Sequence, residues 1–449
     1  MQLRSGLKAG EGDSLSKGEM KPNMNDGTAH VSDGTARLDG QPAQKEEYPY
    51  IMLFGRRMNR VVLITHFNIF LYALCFWIQN GTLPYLTKKL GVDPVIYGYL
   101  QTTFAVVQLC GGPLFGRFGD LYGGRAALTL AFASAAASYG LLGLATSIPM
   151  VFLSRFPSVF MHAMQGGQMV VTDMSDSSQR ADALGKLGLS YGVGMVMGSV
   201  VGGLVTKHLG EQFAAFAACG GSVASAVLCM ALIPKKTKAS PVHSDEHKPA
   251  GSIFSISKIT SLIKQPGALP LLLVRLISGI PIGVFQSMFV VVAMETFKLG
   301  PEENGYIMAF IGVISMITQG LGIGFLVSRL SELAILKVAA FVLVWAYLLL
   351  AYVGSLAQLY LVLIPLCVGL TLMTTVVSSA LTKTVPDADT GAMLGINMAI
   401  NSMIRSVSPT IGGAMLASLG FPSFGYLGFI NSSIVSFFLF VYMKEGKDR

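Results

Sequence analysis

Three arginines, Arg155, Arg275 and Arg405, stand inside long apolar runs of this sequence. A charge at membrane depth is costly on insertion scales, so each is first a candidate for binding something. His66 and His162 are the only other side chains deep in such runs that would titrate near neutral pH. Isolated histidines of this kind are more often packing or hydrogen-bonding residues, with a proton carrier as the alternative. No Asp or Glu falls at mid-run, and Asp173 sits near one end. A cavity built from these arginines favours anions, or holds cations on aromatic faces such as Trp77, Tyr72 or Trp345.

Spacing groups these residues. Arg155, His162 and Asp173 share one face if they lie on a continuous helix of 100° per residue, with Gln165 close by. We expect that face to line a pathway, with Arg155 either touching solute or clamping helices. Asn397, Asn401 and Arg405 follow at i, i+4 and i+8, a polar stripe on an apolar helix that also reads as pathway lining. Gln101 and Gln108 share a face too, and bonding between helices explains them as well as solute binding does. Arg275 is expected to snorkel from the end of its helix to the headgroups. Possible proton coupling falls to His66, His162 and Asp173.

The elements carrying them are apolar runs of about 20 residues, the length that crosses about 30 Å of hydrocarbon. The chain has 449 residues, 52% hydrophobic and 12% charged, too few charges to cover a soluble surface. Spans are expected at 58–79, 95–115, 126–147, 150–172, 184–206 and 212–233, then 269–293, 304–326, 335–355, 357–380, 391–417 and 423–443. The expected domains are a disordered tail (1–57), a first six-helix bundle (58–234), a central loop (235–268), a second bundle (269–443) and a short tail (444–449). The first tail is polar and repeats Asp-Gly-Thr-Ala from Asp26 and from Asp33. With no apolar stretch before residue 58, the first span is expected to act as the targeting signal.

Basic residues set the orientation. Arg56, Arg57, Arg60, Arg117, Arg125, Arg180, Lys186, Arg329, Lys337, Lys383, Lys444 and the central-loop lysines fall on one side. Lys88, Lys89, Lys207 and Lys298 fall on the other. Both termini are thus expected in the cytosol. Ile253, Ile256, Ile259 and Ile263 fall at helical spacing in the central loop, either a helix on the inner membrane surface or mere linker. The five cysteines lie in apolar runs without CxxC spacing, so neither a metal site nor a disulfide framework is expected. Asn80-Gly-Thr82 is a glycosylation sequon close to the end of the first span.

Gly111 to Arg125, GGPLFGRFGDLYGGR, reads as a charged turn between two spans, with Gly116 and Gly123 allowing close approach of helix ends. Asp120, Arg125, Asp173 and Arg180 are expected to form a gate there. The halves of the chain also repeat. Gly98 matches Gly305 at an offset of 207, and Gly185, Gly202, Gly203 and Gly210 match Gly395, Gly412, Gly413 and Gly420 at 210. Two homologous units with a site between them near the midplane follow.

Gly116, Asp120, Gly123 and Arg125 resemble the loop signature of the major facilitator superfamily, with Leu121 where a base is usual. Arg155 resembles its buried arginine. Gly194-x-x-x-Gly198-Ser-x-x-Gly202-Gly203 is similar to its antiporter motif, with Ser199 in place of proline, while the second half carries Pro409 before Gly412 and Gly413. TLPYLTKKLG (82–91), GYLQTTFAVVQLCGGPLFGRFGD (98–120), RADALGKLGL (180–189) and DTGAMLG (389–395) resemble the organic cation transporter-like branch of solute carrier family 22. The resemblance implies an all-α membrane protein, twelve transmembrane helices in two pseudo-symmetric six-helix bundles. It also implies organic cations exchanged for protons, and a plasma membrane location, apical in epithelia, with an intracellular membrane left open.

The reading taken is therefore a secondary transporter of organic cations by proton antiport. Organic anion transport is the alternative on charge. A transport-poor scaffold or receptor is a third, since no Asp in Gly320–Leu330 matches Asp120. Expected partners are a small organic solute, protons and membrane lipid, with no nucleic acid, no cofactor and no metal. No phosphate loop or nucleophile–base pair suggests an enzyme.

Overall fold

The computed structural model describes residues 50–53, 56–175, 180–235, 237, 256–386 and 389–443. The Asp-Gly-Thr-Ala repeats, Ile253 and Lys444 lie outside them. A short antiparallel hairpin, β1 (Tyr50–Leu53) and β2 (Arg56–Asn59), leads into an all-helical fold.

The first half contains α1 (Arg60–Lys89), α2 (Pro94–Tyr122), α3 (Gly124–Gly143), α4 (Ile148–Leu153), α5 (Ala163–Met174), α6 (Arg180–Leu209) and α7 (Glu211–Leu232). A short helix α8 (Ile256–Ile263) follows. The second half contains α9 (Ala268–Glu295), α10 (Pro301–Ile317), α11 (Ile323–Val327), α12 (Glu332–Ala351), α13 (Leu356–Thr382), α14 (Thr390–Leu419) and α15 (Pro422–Val441). A π-helical turn, Thr318–Gly322, joins α10 to α11.

Among the described residues nine helical stretches are long and apolar enough to cross a membrane. The expected spans that fall short, α2, α14 and the α4–α5 run, are those that carry the Gln, Asn, Arg and Asp of interest. Polarity lowers the hydropathy of α2 and α14, whereas α4 and α5, at 6 and 12 residues, are too short.

Packing repeats between the halves. In the first, α1 lies along α6 and α7, and α3 along α7; in the second, α9 lies along α14 and α15, and α12 along α15. Small residues allow the close approach that replaces a hydrophobic driving force in lipid. A Cβ on Gly194 or Gly198 of α6 would come within 2.5 Å or 2.4 Å of the Phe70 or Leu74 carbonyl of α1, and one on Gly202 within 2.7 Å of Ile78 Cα.

The halves meet along two crossings, α2 with α14 and α6 with α10. Each is tight where α2 and α10 begin. There Thr102 and Thr410 hydroxyls lie 2.8 Å apart, Tyr85 donates to the Leu299 carbonyl, and Asn304 donates to Tyr85. At the other end the same helices part. Cβ atoms added to Gly116 on α2, Gly185 on α6, Gly324 on α11 or Gly395 on α14 would meet nothing within 4 Å. The fold is closed between its halves at one end and open at the other.

Three expectations are corrected. Gly111 to Tyr122 is not a turn but the last three turns of α2; the turn is Gly123 alone, whose φ of +86° suits only glycine. Gly116 makes no close approach, whereas Gly119 does, a Cβ there falling 2.6 Å from Met169 Sδ. The expected span at 150–172 is not one helix. Pro157 removes a backbone donor, and α4 gives way to a 3₁₀ turn at Phe156–Phe160 and a non-helical His162.

Candidate functional site

The break before α5 separates three residues that a continuous helix would have aligned. Arg155 is buried at the start of the 3₁₀ turn, its guanidinium 5.9 Å from the Phe104 ring centroid, with Nε and Nη2 lacking partners. It lines neither of the two cavities described below, so the expectation that one helical face carries Arg155, His162 and Asp173 fails.

The larger cavity, about 460 Å³, lies between α2 and α5. From α5 it takes Gln165, Gln168, Met169, Thr172 and Asp173, the i, i+3, i+4, i+7, i+8 row of a single helical face. From α2 it takes Gly112, Gly116, Gly119 and Asp120, a glycine floor ending in a carboxylate. Asp173 accepts from the Thr237 hydroxyl at 2.8 Å, while Arg125 donates to the Met230 carbonyl. Arg125 and Asp173, expected together in the gate, therefore bond to different partners. Arg180 begins α6, and its side chain lies outside the described residues.

The smaller cavity, about 240 Å³, is lined by Tyr72, Phe76, Gln108, Met161, His162, Gln165, Tyr191 and Arg405 among others. Here α2, α5 and α14 converge. Gln108 donates to the Met161 carbonyl at 3.3 Å and accepts from Arg405 at 3.5 Å. Pro409 cannot donate to the Arg405 carbonyl, which loosens α14 beside the cavity. Gln165 lines both cavities.

Other expected site residues disperse. Gln101 donates to Tyr97 on its own helix and lines neither cavity. The α14 stripe fans out: Asn397 donates to Ser378 of α13, Asn401 accepts from Arg275 of α9, and only Arg405 reaches a cavity. Arg275 is buried and does not snorkel, because Asn401 offers it an acceptor inside the protein. His66 is buried on α1, 3.3 Å from the Ser190 hydroxyl and off both cavities. Trp345 is exposed.

Gln168, Thr172 and Tyr191 were not singled out from sequence. The row at 165, 168, 169, 172 and 173 opposite glycines at 112, 116 and 119 was the available signal. Among the described residues no group of three or more His, Cys, Asp or Glu could hold a metal.

The Major Facilitator Superfamily model matches residues 65–382. The chain belongs to that superfamily. It is 38% identical over 400 residues to human solute carrier family 67 member A1, covering 87% of this chain and 94% of that protein. It is 39% identical over 373 residues to mouse solute carrier family 22 member 18, covering 82% and 92%. The resemblance to solute carrier family 22 read from the sequence is thereby borne out. The fold is similar to that of a bacterial homologue of the human lysosomal transporter Spinster, solved inward-facing and occupied. That match has a TM-score of 0.70 at 14% identity and covers 85% of this chain and 96% of that one. The protein is a multi-pass membrane protein of a transporter superfamily, whose members act on small solutes within a membrane.

Proposed function

We propose that the protein is a secondary active transporter that moves a small organic solute bearing a negative group by alternating access. Twelve spans in two six-helix bundles, 58–234 and 269–443, would rock about the two crossings, both termini lying in the cytosol and the open end facing it. One observation carries the solute's charge: Arg405 lines the smaller cavity with Gln108 and Tyr72, and among the described residues no carboxylate lines it. A guanidinium that faces a cavity attracts carboxylate, sulfonate or phosphate groups.

The test is uptake by the full chain in liposomes of one permanently charged dye of each sign under an imposed pH gradient. The anion should accumulate, and Arg405→Gln should remove that uptake. Accumulation of the cation alone would overturn the assignment. A second reading, organic cations exchanged for protons, draws on Asp120 and Asp173, which line the larger cavity. On that reading Asp173, His66 or His162 would carry the proton, and cation uptake would follow the pH gradient.

A further inference from the structure

Arg405 reaches the smaller cavity from the second half of the chain, whereas the other described residues that line it, Gln108 among them, belong to the first. It does so on a long side chain that loses much rotamer freedom when held in one place. Gln108 of α2 accepts from Arg405 Nη2 at 3.5 Å through Oε1 and donates through Nε2 to the Met161 carbonyl at 3.3 Å. A carbonyl only accepts and a guanidinium only donates, so a single orientation of the amide satisfies both.

The Met161 carbonyl faces these side chains because the helix is broken there. Met161 follows the 3₁₀ turn at Phe156–Phe160, His162 is not helical, and the same carbonyl accepts from the Tyr72 hydroxyl of α1 at 3.3 Å. The turn thus fixes an aromatic ring and an amide together at the wall of one cavity.

We propose that Gln108 sets the charge preference of the site: pinned by the Met161 carbonyl, it aims the Arg405 guanidinium into the smaller cavity, where a carboxylate or sulfonate can take parallel N–H bonds from it. This rests on the anion reading and deepens it. Gln108 is a positioning residue, since it acts on the solute through Arg405. At 3.5 Å its bond to Arg405 is long, so it steers the guanidinium without competing strongly for it. Gln108→Glu keeps the length of the side chain but would pair with Arg405 as an ion, cancelling the charge that an anion needs.

The full chain in liposomes would be offered a permanently anionic sulfonate dye and a permanently cationic quaternary ammonium dye. Gln108→Met should raise KM for the anion about fivefold, the effect of releasing one long side chain, with a smaller effect on maximal rate and a melting temperature near wild type. Gln108→Glu should lower anion uptake about tenfold and move the ratio of the two dyes toward the cation. Arg405→Lys replaces the planar fork with a point charge that an amide cannot aim, so adding Gln108→Met to it should change KM less than about twofold. If wild type takes up the anion and Gln108→Met leaves KM unchanged, or raises it equally in both backgrounds, this inference fails and the anion reading stands. If wild type takes up the cation alone, both fail. Where uptake is too slow to measure, the same comparisons are made on the rise in melting temperature that the anionic dye causes in the purified protein, and no rise in wild type overturns both.

Discussion

Gly98 of α2 and Gly413 of α14 meet at the closed end, where a Cβ on Gly98 would lie 2.5 Å from the Pro409 carbonyl oxygen and 3.4 Å from Gly413 Cα. Gly305 of α10 and Gly203 of α6 repeat the contact, a Cβ on Gly305 lying 2.5 Å from the Ser199 carbonyl oxygen and 3.3 Å from Gly203 Cα. These are the glycines matched between the halves of the sequence. The repeat thus places its backbone contacts where the halves touch. Gly98→Ala or Gly305→Ala should force that end apart at a cost of about 1–3 kcal/mol to the closed arrangement. A cysteine replacing Thr410 should then react faster with an impermeant maleimide, with folded yield retained. Unchanged reactivity would show that the crossing tolerates the extra carbon.

The two crossings differ in charge. Lys207 of α6 pairs with Glu302 of α10, which also accepts from Tyr306 at 2.9 Å, whereas the α2–α14 crossing has the Thr102–Thr410 bond. Exposed ion pairs add little to stability, so the melting temperature of Lys207→Met should stay near wild type. Glu302→Gln weakens two contacts and should raise maleimide reactivity at position 410 more than Lys207→Met does. The reverse order would show that the Glu302 contacts do not hold this crossing together.

Among the described residues, nine of the apolar spans and the glycine repeat were legible because apolar length and glycine spacing are local signals that the packing kept: Gly202 faces α1 and Gly203 faces α10, as Gly412 faces α9 and Gly413 faces α2. The site was legible only in part. Arg405, Gln108, His162 and Gln165 were singled out from the sequence and line one cavity together. Arg155 was misplaced because one proline and two serines reshaped a helix that the apolar pattern read as continuous: Ser154 and Ser158 hydroxyls bond back to the carbonyls of Val151 and Arg155 across the break. The fate of Arg275 depended on Asn401, 126 positions later, a pairing that only tertiary packing makes.

Arg275 is buried with Nη2 on Asn401, and its Nε and Nη1 have no hydrogen-bond partner. Asn401→Leu removes that acceptor and should destabilise the protein by about 2 kcal/mol, the scale of a hydrogen bond to a charged group. Adding Arg275→Met should recover part of the loss, since the stranded charge goes with it. Thermal unfolding of both variants in detergent tests this; a double variant less stable than Asn401→Leu would refute it.

Asp120 ends the glycine floor of the larger cavity and is exposed. Asp120→Asn keeps its shape and should lower uptake severalfold while folded yield falls little. Parallel loss of uptake and yield would make Asp120 structural and withdraw it from the gate.

Within α2 the glycines divide by what faces them. A Cβ on Gly111 would lie 1.7 Å from the Val159 carbonyl oxygen in the 3₁₀ turn, and since both groups are backbone, no side chain can move to relieve it. Gly116, five residues on, faces the cavity. Gly111→Ala should therefore abolish the monodisperse peak in size-exclusion chromatography, while Gly116→Ala leaves it intact. The contrast isolates packing from helix propensity, because both substitutions exchange glycine for alanine inside one helix and gain about 1 kcal/mol of propensity alike. Equal yields from the two would mean that α2 and the turn at Phe156–Phe160 do not pack as closely as that contact requires.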